Sequence, residues 1–557
     1  MNKKFKLIMK KLHLLSKKKG EMQRRLAISL IATGLFLGLI LLLYIVGYIQ
    51  NNKNVSHFLP AEKTISYVQL KNLSLPIKLN INEEDAYEKI ELVLKNTFDI
   101  DYKDALTRWA TGPFGVAYIE NGNTKETVGF LRTKRKRQAI KFFEEIKLEN
   151  EELIKEDGIY SYPESQNFNF SFVGPYCFIS DNKELLKEIQ TIYKEGNGSL
   201  NDTKEYKKSF SNLPRTNWLE AYADFKKIEI SDNLGIKNLI EPLKLIINNV
   251  GVSVQKEYNG FHFNSFININ PELLALNKGY SDSRKFSYEL TNHISSENLI
   301  LYIGGANLSD EWQNTLKTIS GLNPAYGIIL EGILNAQVNK IFGNDVSLRN
   351  DIYPIFEGEY AFGIGLKEDG NIDLKLVLGS ENKEFSEKKL KKLSKGFNLL
   401  AAQFAPKLLI TTLPDGTESR EIIADESKTS ENSEEYKGNE INCVGVEKSN
   451  YGFCYTTTDK YILMTNNHES AIETIDTTIS SDLALSGYQP FREALSNLSK
   501  INDEISFLNL EGVTSLIKEQ TPYGTFIKPF LSELDAVTWV KHYFDDGVST
   551  EGYVLIK

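Results

Sequence analysis

One stretch of this chain is present twice, and that duplication limits what it can fold into more than any other feature. Residues 168–224 align with 453–509 at a constant offset of 285, without a gap over 57 residues. Phe168, Phe170 and Tyr176 fall on Phe453, Tyr455 and Tyr461, and Ser211, Asn212, Leu213 and Asn217 fall on Ser496, Asn497, Leu498 and Asn502. Upstream, 59–73 lies over 294–308 at offset 235, and 112–134 over 358–380 at offset 246. Downstream, Ile240 and Pro242 meet Ile527 and Pro529 at offset 287. The same pieces in the same order read as two tandem homologous repeats, 58–270 and 294–557, with 271–293 as connector.

Each repeat shows more hairpins than strand–helix–strand alternation. Phe168, Phe170 and Phe172 alternate with Asn169 and Ser171, the period of a half-buried strand, whereas Leu390, Leu393, Phe397, Leu400 and Phe404 follow helical spacing. The expected class is α+β, with largely antiparallel sheet backed by helices. The second repeat has 39 extra residues between its helix near 385–404 and a strand at 441. Part of that excess, LLITTLPDGTESREIIA, reads as a hairpin around Pro414-Asp415-Gly416. The acidic run 425–439 lacks large aliphatics and reads as a disordered loop.

Ahead of the first repeat, residues 1–25 hold ten Lys or Arg against Glu21 alone, a net +9 in a chain of net −9, which leaves −18 on the rest. Residues 26–48, LAISLIATGLFLGLILLLYIVGY, carry no charge and are long enough to cross a hydrocarbon core as a helix. The expectation is a basic cytoplasmic segment, a single transmembrane helix through the bilayer, a linker at 49–57 and an extracytoplasmic module at the cell membrane.

The opening Leu59-Pro-Ala-Glu-x-Thr-x-x-Tyr-Val68, the stretch Asp351-Ile-Tyr-Pro-x-x-x-Gly-Glu-Tyr-Ala361 and the Leu413-Pro-Asp-Gly416 turn together resemble the bacterial family known as domain of unknown function 3352. In the first repeat Pro113 stands where Glu359 is, so the Gly-Glu pair occurs once. The resemblance implies a membrane-anchored envelope protein and supplies no activity.

Chemistry is sparse. The chain contains no GxxxxGK[ST], GxGxxG, HExxH or GxSxG motif, and His262, His293, His468 and His542 are isolated. A net charge of −9 and pI near 5.5 argue against nucleic acid as partner. Asp351, Glu357 and Glu359 form the best carboxylate cluster, at a spacing that does not match a calcium loop. Cys443 and Cys454 flank a polar turn and read as two thiols, or as a disulfide should they face each other directly; Cys177 stands alone. Lys134, Arg135, Lys136 and Arg137 interrupt an acidic module, with no counterpart in the second repeat, and are candidates for an anionic ligand. The expected function is an envelope binding or scaffold protein with a protein partner, no cofactor, no metal and no catalytic residues. The alternatives are an envelope enzyme with a carboxylate site between the repeats, or a carrier of apolar ligands.

Overall fold

The computed structural model describes residues 53–71, 108–122, 124–146, 152–162, 168–214, 217–228, 244, 246–270, 286–367, 370–380, 382–403, 406–414, 417–446, 452–499, 503–517, 528, 531–544 and 547–557. The first half contributes β1 (Thr64–Leu70), β2 (Ala110–Asn121), β3 (Thr124–Thr133), β4 (Ile154–Glu156), β5 (Ile159–Ser161), β6 (Asn169–Val173), β7 (Tyr176–Ser180), β8 (Leu219–Asp224), β9 (Ile247–Lys256) and β10 (Gly260–Ile269). The second contributes β11 (Leu299–Gly305), β12 (Tyr360–Leu366), β13 (Ile372–Gly379), β14 (Pro406–Thr412), β15 (Glu418–Ala424), β16 (Thr429–Tyr436), β17 (Asn439–Val446), β18 (Gly452–Thr457), β19 (Tyr461–Thr465), β20 (Glu504–Asn509), β21 (Leu534–Phe544) and β22 (Gly547–Ile556). The helices are α1 (Lys136–Ile146), α2 (Lys183–Glu195), α3 (Lys204–Ser211), α4 (Leu308–Leu322), α5 (Pro324–Phe342), α6 (Lys383–Gln403), α7 (His468–Ile479), α8 (Gln489–Ser496) and α9 (Leu510–Leu516).

Among the described residues, twenty strands form one sheet in which every pairing is antiparallel. From edge to edge the order is β4-β5-β6-β7-β3-β2-β1-β8-β9-β10, then β22-β21-β20-β11-β12-β13-β19-β18-β17-β16. Helices pack on it through alternate strand residues. Asn182 caps α2 by accepting from the amides of Glu184 and Leu185, and Asn467 caps α7 by accepting from that of Ser470, so both helices leave their strands through an asparagine N-cap. Leu185, Leu186 and Ile189 of α2 then meet Phe130, Tyr176 and Phe178 in one core, and Ala471 and Ile475 of α7 meet Leu463 and Val377 in another.

The halves join at a seam where β10 and β22 pair from Gly260–Leu555 to Asn268–Gly547. His262 Nε2 lies 3.0 Å from Glu551 Oε1 there, and the Ser499 amide donates to Glu551 Oε2. The hydrogen bond with Glu551 holds the His262 imidazole above its usual pKa, against the opposing effect of burial. Strand approach depends on glycine: a Cβ on Gly547 would sit 2.4 Å from the Ile267 carbonyl oxygen and 2.7 Å from the Phe266 ring. Gly547→Ala is therefore expected to cost about 1–3 kcal/mol by overpacking. Gly332→Ala, in open space on α5, is expected to add up to about 1 kcal/mol. Urea unfolding checks both, and a gain at Gly547 would show that the seam is looser than this.

Several expectations are corrected by this architecture. The class of a transmembrane helix followed by two tandem repeats is replaced by one large antiparallel sheet that runs through both halves, because the last strands of the halves pair with each other. No helix among the described residues is long and apolar enough to cross a membrane, so the single-pass anchor and the cell-membrane localisation are not supported. The 19-residue α5 is interrupted by Glu331, Asn335, Gln337, Asn339 and Lys340; segments 1–25 and 26–48 lie outside the described residues. Part of the expected linker packs into the first core, where Val55 is fully buried. Most of the expected disordered loop 425–439 is structured: residues 429–436 are β16, paired with β17 at the sheet edge. Its exposed Glu431, Glu434 and Glu435 suit an edge strand, where charge discourages pairing with another chain. Cys443 and Cys454 face each other across β17 and β18 and form a disulfide rather than two thiols.

Candidate functional site

A cleft of about 590 Å³ opens near the start of β12, between the 3₁₀ turn at Glu289–His293, the turn at Tyr353–Phe356, the end of β13, the start of α6 and the start of β19. Pro354 opens the second of these turns, and Gly358 brings the following backbone against β13: a Cβ there would lie 2.6 Å from the Gly379 carbonyl oxygen. Leu290, Ile355 and Ile462, all buried, line it together with the exposed Phe385 ring.

Three carboxylates line the cleft. The Ser287 amide donates to Glu359 Oε1 at 2.8 Å and its hydroxyl to Oε2 at 2.7 Å, which fixes both oxygens. The Tyr461 hydroxyl donates to Glu289 Oε1 at 2.7 Å. Burial, the Glu289 bond and the nearby negative charge push that hydroxyl up to about 12, so it stays a donor across the physiological range. The His293 ring packs 4.2 Å from that of Tyr461 and its Nδ1 lies 2.9 Å from Thr478 Oγ1. Burial lowers the His293 pKa, partly offset by Glu289, which favours the neutral ring. Glu357 is exposed at the rim, as is Lys460.

Of the predicted acidic cluster, the structure brings Glu357 and Glu359 together and separates Asp351. Asp351 is buried, accepting from Lys389 at 3.0 Å, Lys392 at 2.6 Å and the Ser347 amide at 2.9 Å. Burial alone would raise its pKa, but these bonds outweigh it and hold the carboxyl down at about 2. Asp351 thus ties the 347–352 turn to α6 and belongs to the scaffold. Among the described residues no group of three or more His, Cys, Asp or Glu is placed to hold a metal ion.

Lys134, Arg135, Lys136 and Arg137 are all exposed at the junction of β3 and α1, in the other half of the sheet from the cleft. Lys136 Nζ lies 5.0 Å from the Phe172 ring centroid, so one of the four is engaged with an aromatic face.

Sequence reasoning missed Ser287, Glu289 and Lys460. Glu289 lies in the stretch read as connector, and only its spacing from Tyr461, 172 residues on, would have disclosed the pair. It also missed Glu311, in the first turn of α4. Burial and the neighbouring Glu504 push the Glu311 carboxyl up to about 8, against the opposing pull of Lys541.

The Asp351–Ala361 stretch that walls the cleft lies inside a match to the family described as protein of unknown function DUF3352, which covers residues 84–404. The chain belongs to that family. No curated protein and no solved structure matches it. The family match takes in Glu289, Glu357 and Glu359 and stops before Lys460 and Tyr461, so it spans one wall of the cleft and not the β19 side.

Proposed function

We propose that this chain is a non-catalytic binding protein whose cleft takes a positively charged, extended peptide segment of a partner protein. The observation that carries this reading is the advance positioning of Glu289 and Glu359 by Tyr461 and Ser287 within a single cleft. Acceptors already held in place bind a cation without the entropy cost of ordering them first. Three carboxylates against one lysine favour a cationic ligand, and the exposed Phe385 ring offers an apolar surface for the segment between its charges. A binding role also suits the hydrogen bonding. Ser287 and Tyr461 both donate to carboxylates, and the nearest histidine turns its Nδ1 to Thr478, an arrangement that orients acceptors and activates no nucleophile.

Titrating the full chain with the peptide acetyl-Lys-Leu-Lys-Leu-Lys-amide tests the proposal by calorimetry. The variant with Glu289→Gln and Glu359→Gln is expected to bind at least about tenfold more weakly, the equivalent of about 1.4 kcal/mol. A variant with Glu431→Gln and Glu435→Gln, two exposed acids on β16, changes the net charge equally and is expected to bind as the unmodified chain does. Equal losses in both variants would mean that overall charge attracts the peptide and that the cleft has no special role.

A further inference from the structure

The hairpin β14–β15 stands apart from the twenty-stranded sheet. Among the described residues it pairs only with itself, and every residue of β14 is exposed. Leu408, Ile410 and Ile422 lie on one face, because Leu408 is directly opposite Ile422 and Ile410 is two residues along; they are 56%, 50% and 75% exposed. An isolated two-stranded hairpin is marginal in water, and one with a bare apolar face calls for another strand.

The free edge of β14 is prepared for that strand. The Leu413 amide donates to the Thr417 carbonyl at 2.8 Å, so residue 413 turns its polar backbone groups toward β15. By the alternation of an antiparallel ladder, Lys407, Leu409 and Thr411 do the same, while Leu408, Ile410 and Thr412 turn theirs outward. Pro406 falls in the outward set, so the donor it lacks is not one that the hairpin uses.

Charge selects the occupant. Laid antiparallel on a second β14 about Leu409, the seven residues pair Leu408 with Ile410, Lys407 with Thr411 and Pro406 with Thr412. In this register the outward amides of Leu408, Ile410 and Thr412 meet outward carbonyls, and no like charges face each other. The one cation, Lys407, is already paired with Asp425 at 3.0 Å. The same full register of β15 on β15 sets Glu421 against Glu421, which is repulsive.

We propose that two copies of this chain associate through β14, edge to edge and antiparallel, to make a four-stranded sheet in which Leu408, Ile410 and Ile422 of both copies form one apolar face. The pairing is isologous, with Leu409 meeting its own symmetry mate on the two-fold axis. This association does not depend on the peptide-binding reading of the cleft.

Cysteine cross-linking of the full chain tests the proposal. Leu409→Cys is expected to give, under mild oxidation, a covalent species of twice the 63.3 kDa chain mass, since the two thiols would be directly opposite on the axis. Ser419→Cys, on the strand away from the axis, is expected to remain single. Ile410→Pro removes one outward amide and no bond within the hairpin, so it is expected to abolish the sedimentation dimer while leaving the melting temperature unchanged. Should Ile410→Pro disturb the fold, Leu408→Lys with Ile410→Lys replaces it, with the same loss expected. Single chains from Leu409→Cys, cross-linking as strong from Ser419→Cys, or an undiminished dimer with either edge variant would overturn the proposal.

Discussion

Replacing Asp373 by alanine is expected to lower the unfolding free energy by about 3–5 kcal/mol, the range for removing one partner of a buried ion pair. Asp373 and Lys375 lie on β13 with 2% and 3% of their surfaces exposed. Lys375 Nζ sits 3.0 Å from Asp373 Oδ2 and 2.7 Å from Glu473 Oε1 of α7, and the Ser470 hydroxyl donates to the same aspartate. The substitution leaves the buried Lys375 with Glu473 as its remaining carboxylate and takes an acceptor from the Ser470 hydroxyl. Exchanging all three, Asp373→Leu, Lys375→Met and Glu473→Gln, removes the charges together and is expected to recover most of the loss. Urea denaturation reads each variant. A cost below about 1 kcal/mol for Asp373→Ala would show that Glu473 alone compensates the Lys375 charge.

The second large effect is pH-dependent. Glu311 holds its proton up to about 8 in the folded chain, whereas an ordinary glutamate loses it near 4.5. Between those values the folded state binds the extra proton, so this contribution is complete below about 4.5 and is lost as pH rises through about 8. It amounts to something on the order of 5 kcal/mol. Burial first, then Glu504, Asp503 and Asp310, disfavour ionisation, and Lys541, bonded to Glu504 at 2.5 Å, favours it. Glu311→Gln keeps the shape without the titration. The stability difference between the variant and the unmodified chain is expected to grow in favour of the variant from pH 5 to pH 8. A difference that stays constant over that range would mean that Glu311 ionises normally.

Local pattern was legible and long-range pairing was not. The matched segments 59–73 and 294–308 each hold one strand, β1 and β11, since the residues that set a strand act over a few positions. The Asn caps of α2 and α7 follow the same offset of 285 as the strands before them. The seam escaped because β10 and β22 are nearly 290 residues apart, and alternation shows which face is buried without showing which edge is shared. β16 escaped because an edge strand that avoids association must be polar, and polarity reads as disorder. At the cleft, the Gly358-Glu359 pair drew attention because the first half has Pro113 there. Asp351 was grouped with it on nearness in sequence, but the Pro354 turn intervenes and Lys389 and Lys392 claim its carboxylate. Glu289 reaches the site only through the folding of a stretch that resembled a connector.

The central claim is that the cleft beneath Phe385 is where a cationic peptide binds. Incorporating a benzophenone amino acid at position 385 in the full chain, and irradiating with the acetyl-Lys-Leu-Lys-Leu-Lys-amide peptide, tests it most directly. The account predicts a covalent adduct from position 385, abolished when Glu289 and Glu359 are both changed to glutamine. It predicts no adduct from the same group at Tyr258, a fully exposed residue on the β9–β10 turn outside the cleft. Equal labelling from positions 385 and 258, or labelling from 385 that survives loss of both glutamates, would contradict it.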